Sequence, residues 1–283
     1  MRAQATLRKP VSMDGIGLHT GAACAVRLVP ANENTGRIFV RTDLPGHPQV
    51  AADLSSVTQT AFATTLAHGQ ASVSTVEHLL AAMHALGIDN LRIEVQGPEL
   101  PALDGSSLPW IDLLDRGELS VQKHPVRQVR PTRIVEVRDG DRVMSAAPAD
   151  HLSLDVSVDY PHPLVGQQSL TFQLGPESFR KELAWARTFG FSTEIEALRR
   201  EGLILGGSLE NAVVYESDRV VNPEGLRAPD EVVRHKTLDI IGDLALLGRP
   251  LHARITAVRP GHTLTVALLK ALNADSTNLQ TTT

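Results

Sequence analysis

The sequence contains a single cysteine, only ten aromatic side chains (six Phe, two Tyr and two Trp), no excess of basic residues and no long apolar run. Because Cys24 stands alone, an intramolecular disulfide and a cysteine-based zinc site are excluded, and a reducing compartment is favoured. The 27 Lys and Arg against 32 Asp and Glu argue against a nucleic-acid binder, which usually carries clustered basic residues. No stretch approaches the ~20 apolar residues of an integral membrane segment, and residues 1–10 lack a signal-peptide core. We therefore expect a soluble, cytoplasmic protein.

At 283 residues and 42% hydrophobic, the chain can bury a substantial core. Its first part is predicted to be mostly short alternating strands. Residues 25–29 and 37–41 alternate as strands between Gly, Pro and Asn turns. Apolar side chains at helical spacing then predict a helix over 75–86, which Gly87 ends before a strand over 91–95. A second, shorter helix is expected over 108–114.

The second part repeats this order. Strands over 133–137 and 152–158 precede a helix over 231–247, which begins after Asp230 and ends at Gly248. A strand over 253–258 follows, and a further helix is expected over 192–201.

The charged, proline-containing stretch 116–133 between the two parts is typical of a linker. We therefore predict an α+β protein with an N-terminal domain over 1–120 and a C-terminal domain over 121–283, each supplying part of one site.

Two predicted helical segments carry side chains of the types that bind metal ions. His235 and Asp239 are four residues apart, so on a helix their side chains lie one above the other and can hold one ion. His78, on the earlier helix, would complete three protein ligands and leave a fourth position open for water. That open position distinguishes a catalytic zinc from a structural one.

Each of these residues also has an ordinary structural interpretation. Residues 74–77 read as a capping box, in which Glu77 satisfies the helix start rather than acting in catalysis. His78 is compatible with a plain helix histidine, and His235 with Asp239 could support a solvated helix face. Asp243 extends the His235–Asp239 stripe by another turn, which favours a site.

Two more candidates lie outside these helices. His262 follows a strand and the tight turn at Gly261, where it could be an exposed loop histidine. Thr188 could be a turn hydroxyl, and its aromatic neighbours Phe189 and Phe191 could pack in the core.

Taken in order, the motifs resemble those of one family, the UDP-3-O-acyl-N-acetylglucosamine deacetylases of lipid A biosynthesis in Gram-negative bacteria. The similarity runs from about residue 4 to about 270. The matching stretches are residues 15–21 (GIGLHTG), 74–79 (STVEHL), 87–90 (GIDN), 103–106 (LDGS), 186–191 (ARTFGF), 206–208 (GGS), 234–236 (RHK), 242–244 (GDL) and 261–262 (GH).

The resemblance implies two β-α-α-β-type domains whose helices pack between two sheets, with a zinc site between them. His78, His235 and Asp239 would be the metal ligands, with Fe²⁺ a possible replacement for Zn²⁺ in the cell. The implied substrate is UDP-3-O-[(R)-3-hydroxyacyl]-N-acetylglucosamine, a nucleotide sugar with a fatty acyl chain. Its N-acetyl group would be hydrolysed to acetate and a free 2-amine.

The same resemblance suggests roles for the catalytic side chains. Glu77 would take the water proton as general base, and Thr188 would hold the oxyanion together with the metal. His262 would stabilise charge as an imidazolium, and Asp243 would orient its ring. Either Glu77 or His262 could protonate the leaving amine, and the role of His19 stays open.

Substrate-binding residues are expected around this centre. Lys236 would bind the phosphates or the acyl ester region, and the segment 192–214 would form an apolar channel for the acyl chain. The full predicted set is Lys236, Phe62, Phe189, Phe191, Ile195, Gly207, Leu209 and Val214. Departures from the family pattern at Arg259, Ile204 and residues 61–63 leave the acyl-length preference undetermined.

Two competing interpretations remain. One is a zinc hydrolase acting on a different acylated amine, and the other is a non-catalytic binding protein of the same fold. We expect the protein to be a monomer.

Overall fold

The computed structural model describes residues 2–282, within which the chain forms six α-helices and nineteen strands. The strands of the first part alternate with turns, and its helices follow them. The strands are β1 (Ala3–Leu7), β2 (Val11–Ile16), β3 (Ala23–Pro30), β4 (Arg37–Arg41), β5 (Gln49–Ala51), β6 (Val57–Gln59), β7 (Thr65–His68), β8 (Ala71–Val73) and β9 (Leu91–Gln96); the helices are α1 (Glu77–Leu86) and α2 (Leu108–Gly117).

The second part has ten strands and four helices. Its strands are β10 (Leu119–Pro125), β11 (Gln128–Pro131), β12 (Val135–Asp139), β13 (Arg142–Pro148), β14 (Ser153–Tyr160), β15 (Gly166–Gln173), β16 (Phe189–Phe191), β17 (Val213–Tyr215), β18 (Ala253–Val258) and β19 (Leu279–Thr282). Its helices are α3 (Pro176–Glu182), α4 (Ser192–Arg200), α5 (Glu231–Leu244) and α6 (His262–Asn273).

Two five-stranded sheets share one topology, which confirms the repeat expected from the sequence. The first has the order β2-β3-β9-β4-β5 and the second β12-β13-β18-β14-β15. In each, the strand after the long helix enters the middle of the sheet, antiparallel to one neighbour and parallel to the other. The α+β class is thereby confirmed.

The core side of each sheet follows from alternation along its strands. In β9, Leu91, Ile93 and Val95 are buried while their neighbours are not, and β18 buries Ala253 and Ile255 in the same way. Successive side chains of a strand point to opposite faces, so one face of each sheet meets the helices. Helix α2 packs on the first sheet, α5 and α6 pack on the second, and α1 packs against α5 across the molecule.

Gly242 explains how closely α1 and α5 approach. A Cβ atom at this position would lie 2.1 Å from the backbone oxygen of Glu77, so any larger residue would force the helices apart. The crossing therefore brings the first turn of α1 against the second half of α5. The helices α1 and α5 are the two that carry the predicted metal ligands.

Several local expectations were wrong. No capping box forms at 74–77, because the hydroxyl of Ser74 pairs with that of Thr65 and Glu77 accepts from the backbone of Thr64. The helix therefore begins at Glu77 rather than at residue 75. Asp230 precedes α5 but makes no cap hydrogen bond, since its carboxylate binds Arg234.

Two further corrections concern longer segments. The expected linker over 116–133 is mostly extended, with β10 paired to β1 and β11 paired to β19. His262 does not lie in a loop but is the first residue of α6, a helix that the sequence patterns did not reveal.

The division into domains at residue 120 stays a prediction. Across residues 2–282, none of the helices combines the length and the hydropathy that crossing a bilayer requires.

Candidate metal centre and active site

Three buried side chains meet where α1 crosses α5. Candidate ligand atoms of His78, His235 and Asp239 all lie within 4.8 Å of one another. Oδ1 of Asp239 is 3.6 Å from Nε2 of His78 and 3.3 Å from Nε2 of His235. The two imidazoles meet edge to face, with ring centroids 5.0 Å apart. The structure thus brings together the three residues predicted as ligands, from two distant segments of the chain.

The protonation state of His235 suits a ligand. Burial lowers its pKa to about 3, so the ring is neutral at physiological pH. Nδ1 lies 3.0 Å from the backbone oxygen of Ala186, and a proton on that nitrogen would be donated to the carbonyl. Nε2, which faces Asp239, then carries the free lone pair.

The charge state of Asp239 also suits a metal ligand. Burial would raise its pKa, but the neighbouring His235 and Lys236 hold it well below the usual range, so the carboxylate is charged. Oδ2 accepts a hydrogen bond of 2.7 Å from Nζ of Lys236. Oδ1 is buried and makes no hydrogen bond to any residue in the range 2–282. A buried charged oxygen without a partner is costly, and a cation would relieve that cost.

The donor set fits zinc. Ligand atoms bound to Zn²⁺ at about 2.0–2.1 Å in tetrahedral geometry are roughly 3.3–3.4 Å apart, close to the two separations at Asp239. Two imidazoles and one carboxylate are also a known catalytic combination for this ion, with one position left open. Calcium and magnesium would instead favour an all-oxygen set.

Glu77 lies beside this cluster, adjacent in sequence to His78. Its side chain is 3% exposed, and Oε2 accepts a hydrogen bond of 3.1 Å from the backbone N–H of Thr64. Burial raises the pKa of Glu77, which the facing His262 and His78 partly counteract. A carboxylate whose pKa is raised towards neutrality can both take and return a proton, as a general base must.

His262 and Asp243 form a buried pair next to Glu77. Nδ1 of His262 lies 2.8 Å from Oδ2 of Asp243. Burial alone would lower the pKa of His262, but the charge of Asp243 and its hydrogen bond raise it to about 9, with a further contribution from Glu77. The imidazole is therefore cationic at neutral pH and can donate a proton from Nε2.

We expect Asp243→Asn to move the basic limb of the pH–rate profile to lower pH. The pKa of His262 in the folded protein, about 9, lies above the unperturbed 6.5. Stability and charge contributed by this pair are therefore fully present below about pH 6.5 and are lost as the pH rises through 9. Without the Asp243 carboxylate, burial dominates and the pKa falls. The check is kcat/KM against pH for both proteins; an unchanged basic limb would show that His262 does not control it.

Thr64 connects these groups, although no sequence pattern indicates it. This fully buried residue donates its backbone N–H to Glu77 and its Oγ1 hydroxyl to Oδ1 of Asp243, at 2.7 Å. It therefore links the predicted base to the carboxylate that charges His262. A lone threonine just before a short strand has no pattern that marks it, because both partners are distant in the sequence.

A pair of matched substitutions tests the role of Thr64. We expect Thr64→Val, which keeps the shape but removes the hydroxyl donor, to lower kcat about tenfold or more, as for loss of one hydrogen bond to a charged group. Thr64→Ser keeps the donor and should restore most of kcat. If the valine and serine variants have equal kcat, the hydroxyl does not position Asp243.

The glycine motifs GIGLHTG and GGS shape the rim of the site. The backbone N–H groups of Leu205 and Gly206 donate to the carbonyls of His19 and Leu18, which joins the GGS segment to the GIGLHTG segment. Glu99, which is fully buried, accepts from the backbone N–H groups of His19 and Thr20. Glu99 is a second residue that the sequence patterns did not single out.

Thr188 is fixed at the same rim. Its backbone N–H donates to Gly105 and its carbonyl accepts from Val213, both at 2.8 Å. Gly105 must be glycine here, because it has φ +81° and a Cβ would lie 2.1 Å from the oxygen of Asn211. The LDGS motif therefore holds the backbone of Thr188, a residue that lines the cavity described next.

An apolar cavity of about 430 Å³ opens beside the metal centre, between α4, the β16–β17 pair and the segment 204–214. Phe189 forms the connection, since its ring centroid lies 6.2 Å from that of His235. His19 and Thr188 also line the cavity. Seven predicted substrate-binding residues lie in its wall: Phe62, Phe189, Phe191, Ile195, Gly207, Leu209 and Val214.

Two side chains near the cavity differ from the rest. Phe62 is 58% exposed at the tip between β6 and β7, with φ +65°, so its ring is free to contact a ligand at the entrance. Lys236, the eighth predicted residue, is outside the cavity wall but holds Nζ 5.5 Å above the Phe189 ring. Burial would lower the pKa of Lys236, but Asp239 and Tyr160 hold it above its usual value, so the amine stays charged.

Comparisons with known proteins agree with this geometry. Residues 4–274 match the model of the family described as UDP-3-O-acyl N-acetylglycosamine deacetylase. A protein named UDP-3-O-acyl-N-acetylglucosamine deacetylase from Anaeromyxobacter sp. (strain Fw109-5) is 46% identical over 272 residues, 96% of this chain and 89% of that protein. Proteins of the same name from Myxococcus xanthus (strain DK1622) and Brucella melitensis biotype 2 (strain ATCC 23457) are 43% and 42% identical, over 96% and 97% of this chain and 87% and 96% of their own lengths.

Proposed function

Because the chain belongs to the UDP-3-O-acyl-N-acetylglucosamine deacetylase family, we propose that it hydrolyses the N-acetyl group of UDP-3-O-[(R)-3-hydroxyacyl]-N-acetylglucosamine. The products would be acetate and the free 2-amine, an intermediate of lipid A biosynthesis. The observation that carries this proposal is the buried His78–His235–Asp239 cluster, which has a carboxylate at its side and an apolar cavity next to it.

We propose zinc as the metal, with Fe²⁺ as the alternative in the cell. His78, His235 and Asp239 would hold it, and the unpartnered Oδ1 of Asp239 supports that assignment. When bound, the ion would act as a Lewis acid towards water and towards the amide carbonyl.

Side chains around the metal cluster would carry out the rest of the chemistry. Glu77, with its raised pKa, would accept a proton from the attacking water. The hydroxyl of Thr188, held at the rim of the site, would donate to the developing oxyanion. His262, kept cationic by Asp243, would stabilise that charge from its Nε2 side and is positioned to protonate the leaving amine.

The cavity suits the fatty acyl chain of the substrate. Its walls are largely aliphatic and aromatic, with Ile195, Leu209 and Val214 among them. Each CH₂ group moved from water into such a cavity contributes about 0.8 kcal/mol, so a long acyl chain would add much of the binding free energy. The charged Lys236 and the exposed Phe62 would meet the nucleotide-sugar part, through its phosphates or ester and through stacking.

The acyl chain gives the sharpest test of this function. We expect the zinc-loaded protein to release acetate far faster from the 3-O-acylated nucleotide sugar than from UDP-N-acetylglucosamine. Because the two substrates share the amide and the nucleotide, the ratio of their kcat/KM values isolates the contribution of the cavity. Equal rates would favour a hydrolase of other acylated amines, and no acetate from either would favour a binding protein.

A substitution inside the cavity strengthens the comparison. Val214→Glu places a charge in the apolar wall and should raise KM for the acylated substrate while leaving the slow reaction of the unacylated one unchanged.

We further propose that the protein acts as a cytoplasmic monomer built of domains 1–120 and 121–283.

A further inference from the structure

A second crevice lies at the opposite ends of the two helices that carry the metal ligands. It encloses about 160 Å³ between the start of β4, the loop after β5, the end of α1 and the residues that follow α5. Its charged and polar side chains are Arg37, Arg249, His84, Asp53 and Asp89. None of these residues has a part in the proposed deacetylation.

Arg37 lies in this crevice without a carboxylate partner. Its Nε–H donates to the backbone oxygen of Ile88 at 3.0 Å, but its two terminal nitrogens make no hydrogen bond within residues 2–282. Burial lowers the pKa of Arg37 to about 10, against the attraction of Asp89. Asp89 is already engaged by Arg2, at 2.6 and 2.8 Å, and by the backbone of Ala5.

Arg249 is the second cation without a partner. It follows Gly248 at the end of α5 and forms neither a hydrogen bond nor an ion pair with the described part of the chain. Asp53 is the other carboxylate in the crevice, and its Oδ1 is occupied by Ser55 and Ser56. Arg2 and Asp89 neutralise each other's charge in their ion pair. The other charged side chains of the crevice are two arginines and one aspartate, so the net charge of the crevice is positive.

His84 adds a neutral polar group to the wall. Burial and the charges of Arg37 and Arg2 lower its pKa to about 3, so its ring is uncharged and can donate one N–H. A plain structural interpretation is that Arg37 caps the end of α1. That interpretation accounts for one of its five N–H donors and for none of Arg249.

We propose that this crevice binds a phosphate-type oxyanion between Arg37 and Arg249. Guanidinium groups present paired N–H donors that match two oxygens of a phosphate, and a volume of about 160 Å³ is several times the ~30 Å³ share of one water. The anion would tie β4 to the end of α5, and so join the two parts of the chain at the side away from the metal. Bound phosphate should then stabilise the folded protein by mass action.

Calorimetric titration of the zinc-loaded protein with inorganic phosphate, at constant ionic strength kept with chloride, tests the proposal. We expect Arg249→Gln to bind about tenfold more weakly, as for loss of one charge-assisted contact. Since the side chain of Arg249 makes no hydrogen bond or ion pair with residues 2–282, this variant should keep the wild-type circular dichroism spectrum. The matched control is Arg8→Gln, which removes an exposed charge elsewhere and should bind as the wild type does.

The outcomes separate the sources of the anion and the possible sites. A parallel titration with glycerol 3-phosphate shows whether a free ion or a phosphate monoester is preferred, and weaker binding by Arg249→Gln in either titration supports the proposal. Wild-type affinity in Arg249→Gln, or no binding by the wild type at millimolar phosphate, would each overturn it. None of these results depends on deacetylase activity.

Discussion

Replacing Glu77 by glutamine should leave the metal in place and lower kcat by about 10²–10⁴-fold, the range typical of a lost general base. Glutamine has the shape of glutamate and can still accept the hydrogen bond from the backbone of Thr64, but it cannot take a proton. The loss should therefore fall on kcat rather than on KM. Metal content and acetate release are measured on the same preparation.

The contacts of the two nearby carboxylates explain why neither should take over the role of Glu77 as general base. Asp243 is tied to His262 and Thr64, and Asp239 is tied to Lys236 and the two histidines. A suitable control is Glu94→Gln, on β9, whose carboxylate pairs with Arg27 and Arg92 at the surface. The control should keep wild-type kcat. A Glu77→Gln protein with full metal and more than about a tenth of the wild-type kcat would rule out the base assignment.

Removing one imidazole from the cluster should have the second large effect. We expect His78→Ala to lose stoichiometric zinc and with it nearly all acetate release, because two protein ligands remain where catalytic zinc sites have three. The change opens space against His235, whose ring contacts that of His78 edge to face. Zinc per chain after dialysis, by elemental analysis, gives the readout.

The fold must be intact for that result to be meaningful. His124→Ala, which removes an exposed histidine paired with Glu33, is the matched control and should retain one zinc per chain. Circular dichroism of both variants checks that α1 and its packing are preserved. Stoichiometric zinc in a folded His78→Ala protein would show that the ion is held elsewhere.

Much of the framework was predictable because periodicity is a local property. The strands at 37–41 and 253–258 and the helix after Asp230 lie where alternation and helical spacing placed them. Gly87 ends α1 with φ +70°, and Gly248, with φ +72°, ends the 3₁₀ turn over 245–247 into which α5 continues. The repeated order of elements followed, since each half buries one apolar face.

The failures have a common cause in contacts between distant residues. The pattern at 74–77 is typical of a capping box, but Thr64 and Thr65 offer the side chains partners from another segment. The helix α6 went unpredicted because its run over 264–269, apolar except for Thr265, does not distinguish a helix from a buried strand. Thr64 itself acts only through residues 13 and 179 positions away, which no local pattern can report.

The central claim is that one ion joins the two halves of the molecule at three named atoms. Anomalous diffraction at the zinc edge, on crystals of the metal-loaded protein, tests it most directly. We predict a single strong peak about 2.0–2.2 Å from Nε2 of His78, Nε2 of His235 and Oδ1 of Asp239. A peak bound by other residues, or none in a protein that releases acetate at full rate, would contradict the claim.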